Sequence, residues 1–310
     1  MTLKTKEAIG GDAATGTGEQ ASEPKTRSVV SRDGTNIRYL EIGHGPGVVV
    51  MHGAMESAQS HILLARALSD TFTVYLPDRR SRTLGFPFVK DYNIQKEVED
   101  LDALLTKTDS HDVFGVSSGA IVCLRAASVL DRIRKAGIYE PPLFLSEPAA
   151  TAILTRFDDE MTRGKVNAAF ITAMKGAQMG PAFFRLLPRP LLEYLTGRQM
   201  KKQQRGAKEG GETMSQLAAT IHYDSELVAE MSGRLEDFRK VTAGVLLLGG
   251  SKSPAYLKSA LDSLERILPH VRRVEFPGLD HGGSSDPGPF NRRGDPALVA
   301  RELEGFFAGP

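Results

Sequence analysis

The chain has 310 residues, 41% hydrophobic and 25% charged, proportions ordinary for a globular fold and sufficient for one large buried core. Lys and Arg total 39 against 38 Asp and Glu, a formal charge of +1 that gives no electrostatic case for nucleic acid or an anionic membrane. The single cysteine, Cys123, excludes an intrachain disulfide and fits a reducing, cytoplasmic setting, and no apolar run approaches the ~20 residues of a membrane span.

Residues 1–26 are expected to form a disordered tail. Met1 to Pro24 is rich in Gly, Ala, Thr and Glu and lacks the apolar centre of a signal peptide. Arg27 to Ser31 and Asn36 to Ile42 alternate in polarity around Asp33-Gly34, which predicts a hairpin. Gly47-Val48-Val49-Val50-Met51 is a continuous apolar run, the pattern of a strand buried on both faces. A helix over His61 to Leu68 and a strand over Phe72 to Leu76 follow. Asn93 can cap a helix that carries Ile94, Val98, Leu101, Leu104 and Leu105 on one face. Then come a strand over 112–116, a helix over 118–131 and a strand over 135–139.

After Pro141-Pro142 the alternation stops. Segments 158–177, 181–206, 211–221 and 225–237 all predict helix. Strand rhythm returns at Val245 to Leu248, followed by a helix over 254–268, a strand over 271–276 and a last helix opened by Asp295-Pro296. Alternating strands and helices imply an α/β fold with a mostly parallel sheet covered on both faces. The expected organisation is a core over 27–142 and 241–310, with residues 143–240 as a helical cap inserted over the sheet's C-terminal edge, where such sheets place ligands.

Gly115-Val116-Ser117-Ser118-Gly119 joins a predicted strand to a predicted helix. G-x-S-x-G in that context is a nucleophile elbow, which exposes the serine hydroxyl above the sheet with a helix N-terminus behind it. Ser117 is the expected nucleophile. A serine hydroxyl needs a base, and the base an orienting acid. His281, in Pro277-Gly278-Leu279-Asp280-His281-Gly282-Gly283, lies in a loop just past the last predicted strand. None of the histidines at 44, 52, 61, 111, 222 and 270 combines such a loop, glycine neighbours and a place after the serine. Two backbone N–H groups must hold the oxyanion. One is expected from Ser118, the other from Ala54 in His52-Gly53-Ala54-Met55-Glu56-Ser57, with Met55 as fallback.

The acid departs from the commonest arrangement. The loop after the strand at 245–248 runs Gly249-Gly250-Ser251-Lys252-Ser253-Pro254 without a carboxylate. Glu140, in Tyr139-Glu140-Pro141-Pro142, ends the preceding core strand and is the expected acid; its alternative role is to tie down the entrance to the cap. Asp78-Arg79-Arg80-Ser81-Arg82 is read as an ion-paired loop at a strand end rather than as an anion site. Met55, Phe86, Phe183 and Phe184 are the expected substrate-binding side chains.

These motifs together resemble the α/β-hydrolase superfamily, most closely a branch marked by DRRGRG-like and YEPP segments. The likeness runs from about residue 27 to the C-terminus. It implies a Ser–acid–His triad on an eight-stranded sheet with no metal or organic cofactor. The chain departs from the branch at Ser81, where glycine is usual, and at Thr83-Leu84-Gly85.

The expected activity is a serine hydrolase acting on a carboxylic ester, thioester or lactone. The rivals are other chemistry on the same triad (C–C bond hydrolysis, a lyase or a cyclase) and a catalytically silent binding protein. The expected partner is a small, apolar acyl substrate. No nucleic acid or membrane is expected, and a homodimer is left open.

Overall fold

The computed structural model describes residues 23–84, 88–143, 147–179, 187–206, 214–288 and 291–309. Two outer strands come first, β1 (Lys25–Val30) and β2 (Asn36–Gly43), then β3 (Gly47–Met51), α1 (Ile62–Leu68) and β4 (Thr73–Pro77). Next are α2 (Ile94–Thr108), β5 (Asp112–Val116), α3 (Ser118–Ala127) and β6 (Lys135–Tyr139). Four helices follow, α4 (Glu147–Thr162), α5 (Val166–Gly176), α6 (Arg189–Gly206) and α7 (Met214–Met231). The chain closes with β7 (Gly244–Gly250), α8 (Ala255–Ile267), β8 (Val271–Phe276) and α9 (Pro296–Ala308).

The strands form one eight-stranded sheet in the order β1-β2-β4-β3-β5-β6-β7-β8. β2 runs antiparallel to β1 and β4, and every other pairing is parallel. This is the α/β-hydrolase arrangement expected from the motifs. β3 and β5 are adjacent, and the connections that follow them lead in opposite directions, from β3 to β4 on one side and from β5 to β6 on the other. Their C-terminal ends therefore lie at the switch point where open α/β sheets bind ligands.

Local chemistry explains the elements. All five residues of β5 are buried, as a central parallel strand with both faces covered requires. The Asn93 side chain accepts the Lys96 N–H and starts α2, and Asp109 ends it in the left-handed region. Ile94, Val98, Leu101, Leu104 and Leu105 form its buried stripe, worth about 1.5–3 kcal/mol each. α2, α3 and α8 cover one face of the sheet, and α1 and α9 the other. Asp295 caps α9 with Pro296 at its first position.

The helical interval differs in detail from its expected segments. Residues 158–177 are not one helix: the chain breaks at Gly164, which has φ +69°. The expected segments 211–221 and 225–237 are not separate helices: α7 runs unbroken from Met214 to Met231 and a short 3-10 turn follows over Leu235–Lys240, while residues 211–213 lie outside the described residues. No Gly or Pro interrupts residues 220–226, and Tyr223 and Asp224 are buried, the latter in an ion pair with Arg79. The first strand starts at Lys25, so residues 25 and 26 belong to the sheet rather than to the expected tail. Among the described residues between β6 and β7 there is no strand. Phe157, Met161, Ala169, Phe170, Ile171, Leu192 and Met200 give α4–α7 a small core of their own. Tyr223, Leu227 and Met231 of α7 join the main core beside α3. Among the described residues, no helix is long and apolar enough to cross a membrane.

Candidate active site

Ser117 stands between β5 and α3 with φ 55° and ψ −123°, a conformation that side-chain-bearing residues rarely adopt. The turn is possible because the residues two before and two after it, Gly115 and Gly119, lack side chains. A Cβ on Gly119 would come within 2.3 Å of the Met51 carbonyl oxygen, and one on Gly115 within 2.5 Å of the Gly119 oxygen. The Ser117 N–H donates to the Tyr139 carbonyl at 2.9 Å, which ties the elbow to the end of β6.

Glu140 is the next residue after that carbonyl. It too has a positive φ, 46°, and is completely buried. Its Oε1 accepts the Gly250 N–H at 2.7 Å, and its Oε2 lies 2.8 Å from Nδ1 of His281. The room comes from Gly249, where a Cβ would sit 2.8 Å from Oε1. The loop that lacks a carboxylate thus receives one from the neighbouring strand. A carboxylate oxygen can only accept, so Nδ1 is the donor, and in the neutral imidazole the lone pair lies on Nε2. The His281 loop is fixed by Tyr139, whose hydroxyl donates to the Asp280 carbonyl at 2.7 Å, and by Asn291, whose amide donates to the Gly282 carbonyl at 2.8 Å. Asp280 itself accepts the Gly282 N–H at 3.1 Å.

The loop after β3 lies against the elbow: a Cβ on Gly53 would be 2.9 Å from that of Ser117. Among the described residues, neither the Ala54 N–H nor the Ser118 N–H has an acceptor. Met55, with φ 60°, packs against the core of the helical block, as does Phe88, which stacks on His222 at 3.8 Å. Phe86, Phe183 and Phe184 lie outside the described residues. A hollow of about 430 Å³ between α5 and α6, lined by Lys165, Asn167, Glu193 and Tyr194, contains none of the candidate residues.

Beneath the loop is a buried polar network. The Arg79 backbone N–H donates to Nε2 of His52 at 3.2 Å, so Nδ1 is the protonated nitrogen and donates to the Gly53 carbonyl at 2.9 Å. Burial, then the charges of Arg82 and Arg79, hold the His52 pKa well below its ordinary value and keep it neutral. Arg79 is ion-paired with Glu97 at 3.0 Å and with Asp224 of α7 at 2.8 Å. Arg80 pairs with Asp33 and Asp100. Arg82 donates to the Gly53 carbonyl at 2.6 Å, the Glu56 carbonyl at 2.6 Å and Asp224 at 3.1 Å. Burial raises the Asp224 pKa, but Arg82 and Arg79 outweigh it and hold the group below the usual carboxylate range.

Glu56 joins this loop to the His281 loop. Its Oε2 accepts the Gly53 N–H at 2.7 Å and lies 3.3 Å from Nε2 of His61, while Oε1 accepts the Ser285 hydroxyl. Burial raises the Glu56 pKa, but His61 and the hydrogen bonds bring it down to about 2. Burial lowers that of His61, but the Glu56 charge reverses the effect and raises it above 6.5. The contribution of His61 is complete below 6.5 and is lost as pH rises through the higher folded value. That of Glu56 is complete above 4.5 and is lost as pH falls toward 2. Glu56→Gln should therefore cost most stability between pH 4.5 and 6.5, about 1–3 kcal/mol, and less on either side. Thermal melts of both proteins across pH 3 to 9 check this; a pH-independent gap would contradict it.

Sequence reasoning missed Glu56, Asp224 and the contact of Arg82 with the Gly53 carbonyl. Asp224 was open to inference. It shares a helical stripe with Thr220, Leu227 and Met231, and a carboxylate on an apolar stripe calls for a buried cation.

The chain is similar to known hydrolases. It is 34% identical over 95 residues to the uncharacterized hydrolase YraK of Bacillus subtilis, a stretch covering 29% of this chain and 35% of that protein. An α/β hydrolase from Sphaerobacter thermophilus superposes with a TM-score of 0.69 at 26% identity, covering 91% of this chain and 100% of the other. A thermophilic esterase from Thermogutta terrifontis gives 0.66 at 18% identity, over 91% and 98% of the two chains, and shows the fold alone. The model of the alpha/beta hydrolase family matches residues 48–293, from β3 through the His281 loop, and with the sheet order above this makes the chain a member of that family.

Proposed function

We propose that the chain is a serine hydrolase that cleaves a carboxylic ester, thioester or lactone through an acyl-enzyme, with Ser117, His281 and Glu140 as its triad. The observation that carries this reading is the 2.8 Å contact between His281 Nδ1 and Glu140 Oε2, at the end of the strand that holds the Ser117 N–H. It leaves Nε2 as the basic nitrogen. Nε2 takes the Ser117 proton as Oγ attacks the carbonyl carbon. The Ala54 and Ser118 N–H groups hold the resulting oxyanion. The intermediate collapses, and the leaving alcohol, thiol or tethered hydroxyl takes the proton from Nε2. Water then repeats the sequence on the acyl-enzyme and releases the acid.

Helices α4–α7 serve as the cap, and their apolar side chains, Met55 beside them, favour an apolar acyl group. Phe86, Phe183 and Phe184 remain candidates for that pocket. The test is rapid mixing with p-nitrophenyl esters of increasing acyl length, supplemented by thioesters and lactones. The expected result is hydrolysis of at least one series, with a p-nitrophenolate burst near one equivalent per chain where deacylation is slow. Failure to hydrolyse any of the three classes would overturn the reading.

A further inference from the structure

Both proposed oxyanion donors are connected to a single side chain of the helical block. The Gly53 carbonyl accepts from Arg82 Nη2 at 2.6 Å and from His52 Nδ1 at 2.9 Å. In a trans peptide the following N–H, that of Ala54, points from the opposite edge of the same plane. Fixing the Gly53 carbonyl therefore fixes the direction of the Ala54 N–H. Arg82 is in turn held by Asp224, whose Oδ2 accepts from its Nη1 at 3.1 Å. The other oxygen, Oδ1, accepts the Ser118 hydroxyl at 2.7 Å and Arg79 Nη1 at 2.8 Å. Ser118 is the first residue of α3 and carries the second donor on its backbone.

All the groups concerned are out of water. Asp224 is 2% exposed, Ser118 1%, and the Arg82 side chain 1%. At such depth a charge-assisted bond is directional and resists replacement by solvent. Asp224 belongs to α7, while Arg82, Ser118 and the Gly53 loop belong to the sheet side. The carboxylate thus crosses from the inserted helices to the floor of the site.

We infer that Asp224 is the positioning residue for the oxyanion hole: one oxygen sets the Gly53–Ala54 peptide through Arg82, and the other sets the first turn of α3 through Ser118. The hole is then complete only when α7 is seated, which couples the placement of the helical block to stabilisation of the transition state. The inference rests on the hydrolase reading above. It makes Arg82 a rigid fork that joins Asp224 to the Gly53 and Glu56 carbonyls, a role lysine cannot fill.

The test compares Asp224→Asn, Arg82→Lys and Ser118→Ala with Arg80→Lys, which disturbs a buried pair in the same loop away from the Gly53 carbonyl. Each is assayed for kcat and KM on the best ester, and for inhibition by a trifluoromethyl ketone, which forms a tetrahedral oxyanion adduct. Asp224→Asn and Arg82→Lys should lower kcat about 10- to 100-fold with KM nearly unchanged, because a displaced donor acts mainly on the transition state. The ketone inhibition constant should rise by the same factor. Ser118→Ala, which keeps the backbone donor and should fold in every case, should show the same pattern at smaller size. Arg80→Lys should lower the thermal midpoint without changing kcat. Unchanged kcat in folded Asp224→Asn and Ser118→Ala, or loss of turnover without weaker ketone binding, would overturn the inference while leaving the hydrolase reading intact. A wild-type enzyme with neither ester turnover nor phosphonate labelling would remove that reading itself.

Discussion

Replacing Ser117 by alanine should lower ester turnover by about 10⁵- to 10⁶-fold, the scale seen when the nucleophile of a triad is removed. The remaining rate would come from binding and from the oxyanion donors, neither of which needs the hydroxyl. Folding should survive, because the elbow is set by Gly115, Gly119 and the Ser117 N–H bond to Tyr139 rather than by the serine side chain. The strain at φ 55° remains in alanine. Ser117→Gly should relieve it and be more stable than Ser117→Ala by about 1 kcal/mol, after allowing for the larger chain entropy of glycine. Both variants should be equally inactive. Steady-state assays and thermal melts check the pair. Esterase activity near wild type in either variant would remove Ser117 from the chemistry.

Glu140→Gln should lower kcat by roughly 10²- to 10⁴-fold with KM little changed. The geometry gives the reason. The Gly250 N–H requires an acceptor, and it now has one in Oε1 at 2.7 Å. A glutamine that keeps this bond turns its NH₂ toward His281, and Nδ1 must then accept. The proton moves to Nε2, and the imidazole can no longer take one from Ser117. The variant is also missing the charge that stabilises the imidazolium. Because Glu140 is fully buried, no water replaces either function. Equal turnover in the variant and the wild type would reduce Glu140 to a structural tie between β6 and β7.

The candidate triad was legible because each member sits in a short local pattern. G-x-S-S-G between an apolar strand and a helix can be read from the chain, and so can a histidine in a glycine-flanked loop after the last strand. Glu140 followed from the lack of a carboxylate after β7, and the structure places it 2.8 Å from His281. The sheet was equally readable, since β3 is an uninterrupted apolar run and β5 is apolar after Asp112. The helical interval was less so. Gly164 breaks one expected helix, while α7 runs through Tyr223 and Asp224 because tertiary contacts hold them. The floor of the site was legible only in part: Asp78-Arg79-Arg80-Ser81-Arg82 reads as an ion-paired loop, and Arg79, Arg80 and Arg82 are indeed paired, but their partners could not be named. Asp224 meets Arg79 and Arg82 from more than 140 positions away in the chain. Glu56 reaches Ser285 across 229 positions. Such pairs leave no spacing pattern, and only the fold brings them together.

Whether Ser117 is a nucleophile activated by His281 and Glu140 is decided by mapping a fluorophosphonate adduct. The protein is incubated with the probe, digested and sequenced by mass spectrometry, beside Glu140→Gln treated in the same way. The expected result is one adduct per chain, on Ser117 and not on Ser118, formed far more slowly in Glu140→Gln. A wild-type protein that stays unmodified, or one labelled elsewhere with Ser117 untouched, would contradict it.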